Sequence, residues 1–232
     1  MEVYLDVPFE EKDEANELGA KWDMEKKLWF APHGKVDKLT ERWERFETEI
    51  ELHAEDRTYG DSDLYIDLVP TSCWNSNVRT YFSQAEWTKI RKYVCERSSF
   101  SCECCNDKSE KLEVHERWDF NEDTQTQKLV RLVALCNICH LATHMGYAGV
   151  VGMGKEAKEH LKKIRNFTDE EFKSHHLEAS TIYQKRSKMT WKLDLSFFEG
   201  SGVKVRIVPD GSQRAKSYVK QNEDFEELEE LK

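Results

Sequence analysis

Four cysteines and three histidines in the middle of the chain have the types and spacing of metal ligands. Cys102 and Cys105 form one Cys-x-x-Cys pair and Cys136 and Cys139 a second, with 30 residues between the pairs. Two such knuckles offer four thiolates, the donor set of a closed tetrahedral zinc site, and the intervening length suits a hairpin. Seven cysteines is an odd number, and close pairing without a secretory leader favours metal over a disulfide framework. Cys73, Cys95 and Cys104 lack such a partner and read as ordinary buried thiols. His140 and His144 lie four apart, so on a helix they leave one face about a turn apart and can hold one ion. His115, on a strand facing that helix, supplies a third imidazole. The alternative for all three is hydrogen bonding within a purely structural knuckle.

These ligands need two strands and a helix in that order. Residues 112–118 and 128–135 have the composition of strands, and the segment from Asn137 onward suits a helix. Upstream, Ser83 and Glu86 make a capping box for a helix with Trp87, Ile90 and Val94 on one face. Downstream, residues 155–166 and 169–188 read as helices, the second opened by Thr168 and Glu171. Leu64, Ile66 and Leu68 alternate as in a strand, and residues 191–195 form a strand expected to pair with 64–68. Near the N-terminus, a strand at 3–8, a helix at 10–18 stopped by Gly19 and a hairpin across 20–30 are followed by a helix at 35–52. Trp22 and Trp29 read as cross-strand core partners rather than base-stacking platforms. The polar stretch 55–62, which carries Gly60, marks the boundary between units. The predicted class is α+β: a small strand-helix-hairpin unit in residues 1–54, a zinc-bound ββα unit with flanking helices in 63–197, and a further strand at 203–208 with an acidic tail in 198–232.

The run Cys136-Asn137-Ile138-Cys139-His140, in which the last knuckle passes straight into a histidine, resembles HNH endonucleases of the zinc-knuckle (ββα-metal) subtype. Residues 64–197 are similar to one group of HNH proteins through VPTSCWNSNVR, EWTKIR, CECC, VHERWDF, LVRLVALCNICHLATH and WKLDLS. Residues 3–32, YLDVPFEEKDEANELGAKWDMEKKLWF in their main part, resemble a small domain found beside plasmid primases. The HNH resemblance implies that His115, His140 and His144 ligate a catalytic divalent ion, one of Mg, Mn, Ni or Zn, beside the structural Zn of the four cysteines. Glu116 stands where the general-base histidine usually sits, and Arg131 where the middle asparagine is expected. A carboxylate can accept a proton from a metal-polarised water; Glu116 as an additional ligand beside His115 is the other reading. Arg117, Lys128 and Arg131 are candidates to neutralise phosphate charge, or else solvated strand-edge charges.

Net charge sets limits on how such a protein meets DNA. The formal charge of −10 argues against nonspecific coating of nucleic acid. Residues 102–144 hold eight acidic side chains against five basic ones, whereas residues 145–193 hold ten basic against six acidic, so phosphate contacts are expected from the latter. With Lys204, Arg206, Arg214, Lys216 and Lys220, that stretch forms the surface of a second reading, a noncatalytic zinc module that binds nucleic acid or protein. The acidic N-terminal unit is a candidate for contact with a protein partner. Neither a long apolar run nor a signal segment is present, which predicts a cytoplasmic protein.

Overall fold

The computed structural model describes residues 2–47, 49–73, 78–109 and 111–205. Its N-terminal part is a three-stranded antiparallel sheet in the order β1-β3-β2, built from β1 (Val3–Leu5), β2 (Lys21–Asp23) and β3 (Leu28–Ala31), with α1 (Lys12–Leu18) following β1. α1 stops at Gly19, whose φ of 93° is a left-handed cap that costs glycine little. Trp22 and Trp29 are cross-strand partners with ring centroids 5.5 Å apart, yet Trp22 is 44% exposed, because the short edge strand turns it outward. The helix expected at 35–52 is confined to α2 (Val36–Thr40). Beyond it, backbone 44–46 completes the free edge of β1: Asp6 N–H donates to Glu44 O and Phe46 N–H to Tyr4 O. An unpaired sheet edge outweighs the local helical preference of this segment, and Trp43 and Phe46 are buried at 3% and 6% exposure.

A second, larger apolar cluster runs from Leu52 to Phe198. Its spine is the hairpin of β4 (Leu112–Asn121) and β5 (Thr126–Cys136), crossed by α4 (Asn137–Thr143) and followed by α5 (Met145–Val150), α6 (Gly154–Arg165) and α7 (Asp169–Ser187). The preceding helix α3 (Gln84–Arg97) buries Trp87, Ile90 and Val94 against it, each contributing roughly 1.5–3 kcal/mol. Ser83 caps α3 by accepting the Glu86 N–H, but the Glu86 carboxylate turns to Lys89 rather than back to the cap. Thr168 and Glu171 form the complete reciprocal box at the start of α7.

The expected pairing of 191–195 with 64–68 does not occur. β6 (Lys192–Asp194) pairs in parallel with Thr126–Lys128 of β5 instead. Residues 64–68 form no strand; Ile66 N–H donates to His175 Nε2 and Asp67 N–H to Thr143 O, so this segment is tied to helices. β6 covers only the first residues of β5, and the polar backbone above it finds other partners. Asp56 N–H donates to Val130 O, Glu55 accepts the Leu132 N–H, and Glu103 both donates to Ala134 O and accepts its N–H. Val130 is the extra residue of a bulge, since Arg117 faces Arg131 while Trp118 faces Leu129. The polar stretch expected to separate two units is thus folded onto the larger one.

This docking places Arg117 and Arg131 inside the protein, at 3% and 4% exposure. Arg117 donates to the carbonyls of Tyr59, Asp61 and Asp63; Arg131 donates to those of Tyr59 and Asp61 and pairs with Glu103 at 2.7 Å. Neither is a solvated strand-edge charge, and neither is free to meet phosphate; both hold the 59–63 turn. Lys128 is exposed, as a phosphate contact requires, but sits on the stretch of β5 paired with β6, five residues along from Val133, the partner of His115. Residues 203–205 form no strand, and the rest of the expected 203–208 strand and the acidic tail lie outside the described residues.

Arg131→Ala takes the 2.7 Å partner from Glu103, leaving it only Arg57 at 3.8 Å, and releases the Tyr59 and Asp61 carbonyls, so it is expected to lower the unfolding free energy by about 3 kcal/mol. Lys128→Ala is expected to change it by less than about 0.5 kcal/mol. Urea denaturation of the two variants beside wild type measures the contrast; equal small effects would mean that Arg131 is not an internal strut.

Candidate metal centre

Both candidate clusters are built at one corner of the fold. Cys136 is the last residue of β5 and the N-cap of α4, so its thiol stands where strand turns into helix. Cys139 lies one turn into α4, while Cys102 and Cys105 come from the tight turn between α3 and β4, where Cys102 O accepts the Asn106 N–H and Cys102 N–H donates to Asp107 O. The four Sγ atoms lie within 4.8 Å of one another, and those of Cys105 and Cys136 are 3.6 Å apart. Zinc–sulfur bonds of about 2.3 Å put tetrahedral sulfurs about 3.8 Å apart, so the four thiols fit a zinc ion. Without an ion, hydrogen bonds among Cys102, Cys136 and Cys139 push the Cys102 thiol down and raise the other two, because so small a space favours a single thiolate. A divalent cation would favour all four thiolates at once.

Cys73, Cys95 and Cys104 stay outside this group. Burial raises all three thiols, Cys104 to about 12, and Cys104 Sγ faces the carbonyl of Asp63 at 3.6 Å. His160, which carries no spacing signal in the sequence, reaches from α6 to place Nε2 3.1 Å from Cys139 Sγ. An N–H from this ring can offset part of the excess charge of four sulfurs on one ion.

The second cluster joins His115 to His140 and His144. Their ring centroids are 4.7–5.6 Å apart, and one nitrogen from each falls within a common 4.8 Å. His115 leaves β4 toward α4; His140 lies in the last turn of α4, and His144, at its C-cap, donates its N–H to His140 O. His115 is 4% exposed, and among the described residues neither of its ring nitrogens has a hydrogen-bond partner. Burial, then the neighbouring imidazoles, holds His115 well below the usual histidine range; burial lowers His140 and takes His144 down to about 4. Three ring nitrogens within 4.8 Å of one another fit a divalent ion, and a buried, unpartnered imidazole is otherwise costly.

Two carboxylates line a narrow pocket beside this cluster, with Val69, Pro70, Trp118, Phe120, Gln127, His115 and His144. Glu116 follows His115 on β4, so its Cβ leaves from the opposite face, and it is not among the grouped ligands. Its carboxylate accepts N–H groups of Val78 and of its own backbone, and burial raises it to about 7. The other carboxylate is Asp67, whose Oδ2 lies 4.0 Å from His115 Nε2 and which burial raises. Asp67 sits in an apolar run that reads as a strand, and no spacing in the sequence links it to the histidines.

Ion pairs hold four of the ten basic side chains of 145–193. Lys158 and Lys162 pair with Asp169, Arg165 with Asp63 and Lys185 with Glu122. Lys204 pairs with Glu44, and residues 206–220 with their arginines and lysines lie outside the described residues. Among the described residues, no helix is long and apolar enough to cross a membrane.

Comparison with known proteins finds matches for the N-terminal unit. Residues 2–45 match the family model of a domain of unknown function, DUF5710. The same region is similar to two DNA primase TraC proteins of Escherichia coli. One is 45% identical over 43 residues, which is 18% of this chain and 4% of the relative. The other is 52% identical over 31 residues, which is 13% of this chain and 2% of the relative. The chain thus spans a few hundredths of the length of these curated relatives. No solved structure matches.

Structural zinc contributes roughly 10–16 kcal/mol in small zinc-finger peptides, as much as the whole stability of a typical domain. Cys136→Ser is therefore expected to lower zinc per chain by about one equivalent and to abolish cooperative unfolding of the larger unit. Elemental analysis and thermal melting check this; wild-type zinc content and melting in the variant would show that the sulfurs hold no ion.

Proposed function

We propose that the protein is a metal-dependent endonuclease of the HNH type that hydrolyses phosphodiester bonds in DNA. The observation that carries this reading is His115, buried with both ring nitrogens unpartnered among the described residues where His140 and His144 converge on it, beside the four-cysteine group. An ion held by the three imidazoles would polarise a phosphate oxygen and stabilise the leaving group. Glu116 lines the same pocket as His115 and His144, and in this reading its carboxylate accepts the proton of the attacking water. Arg117 and Arg131 have no part in it, since their guanidinium groups are occupied inside the fold. Charge developing on phosphate would then be met by such an ion. The similarity of the N-terminal unit to a segment of a DNA primase supports DNA as the context.

A second reading, a zinc module that binds nucleic acid or protein without cutting, is favoured by one observation. Arg131, where the resemblance expects an asparagine, is a buried strut. Under that reading the pocket of Glu116 and Asp67 has no reactive role.

Purified full-length protein is expected to nick supercoiled plasmid at low salt with Mg, Mn, Ni or Zn, and His140→Ala is expected to lose at least about 100-fold of that activity. Metal analysis should find about two equivalents per chain, falling to about one in the variant carrying both His115→Ala and His140→Ala. Absence of cleavage of plasmid, linear and single-stranded DNA with all four ions would retire the nuclease reading. Salt-dependent DNA binding in its place would favour the second.

A further inference from the structure

An imidazole that gives one nitrogen to an ion must dispose of a proton on the other. At 4% exposure, His115 has no hydrogen-bond partner at either ring nitrogen among the described residues. The group that faces it is Asp67, with Oδ2 4.0 Å from Nε2. Asp67 is not among the atoms that lie within 4.8 Å of one another in the histidine cluster, so its carboxylate stands beside the ring rather than among the ligands. Glu116, its rival, is occupied by backbone N–H groups.

The placement of Asp67 is fixed by two helices. Its own N–H donates to Thr143 O at 2.9 Å, in the residue immediately before His144. The preceding N–H, of Ile66, donates to His175 Nε2 at 3.0 Å from α7. A carboxylate tied to α4 therefore faces the strand histidine that α4 must meet.

We propose that Asp67 is the positioning residue of the histidine cluster. It accepts the Nε2–H of His115 and so fixes the tautomer whose Nδ1 lone pair, with His140 and His144, holds a divalent ion. This rests on the reading that the three histidines bind an ion. From 4.0 Å the approach needed is about 1 Å. Outer-shell carboxylates of this kind orient the ring and raise its basicity as a ligand, and losing one typically costs about 10–100-fold in metal affinity.

The test is cobalt(II) titration of full-length protein with zinc retained by the four cysteines, comparing wild type, Asp67→Asn and Asp67→Ala by visible absorption. Wild type is expected to take up a further ion, and the variants to bind it about 10–100-fold more weakly with the same band positions. Equal affinity in all three overturns the role of Asp67 alone. A changed band pattern overturns it in favour of direct ligation by Asp67. Absence of a further ion in wild type overturns the histidine site itself. Histidine-ring nitrogen NMR of the wild type with zinc(II) does not depend on a variant folding. It should show His115 protonated at Nε2 and ligated through Nδ1, and the opposite tautomer would refute the proposal.

Discussion

Everything at the centre of this protein depends on the corner at Cys136, where β5 ends and α4 begins within a single residue. A strand-to-helix junction without a constraint leaves the helix free to pivot. Here the knuckle turn at 102–105 returns to that corner from the far side of α3, and four sulfurs meet within 4.8 Å. Once the direction of α4 is set, His140 and His144 can only point back across β4, where His115 lies. The second cluster is a geometric consequence of the first. His160 extends the same corner to α6 through Cys139.

A related constraint governs the other side of the hairpin. β5 is buried on both faces, with Leu129, Leu132, Val133, Ala134 and Leu135 each at 1% exposure or less. A strand so enclosed must satisfy all of its backbone groups within the protein. β6 is too short to do it, and the turn at 55–63 together with Glu103 supplies the remainder. Arg97, Arg117 and Arg131 then hold these groups in place: Arg97 pairs with Glu55 while also donating to Leu132 O.

The N-terminal unit has its own small core and meets the larger one through polar ties. Lys89, at 8% exposure, pairs with Glu86 and donates to Glu47 O and Gly202 O, joining α3 to the end of the N-terminal unit and to the last described turn. Burying a lysine is unfavourable unless its donors are satisfied. Three acceptors at one ammonium satisfy them, and they fix where both segments lie.

The sequence by itself determined what depends on neighbours along the chain. The knuckle spacing announced the four-thiol group, the four-residue step announced His140 and His144, and local caps and apolar periods located α3, α6, α7 and the hairpin. What only the tertiary structure decided is what depends on unmet needs elsewhere. The free edge of β1 turned 44–46 away from helix, and the parallel pairing of β6 left 64–68 to the helices. The carbonyls of Tyr59, Asp61 and Asp63 took up the Arg117 and Arg131 guanidinium groups, and the packing of 64–68 on α4 brought Asp67 to His115. Periodicity and spacing record interactions within a few residues, whereas an edge, a carbonyl or an imidazole nitrogen takes whichever partner the packed chain brings within reach.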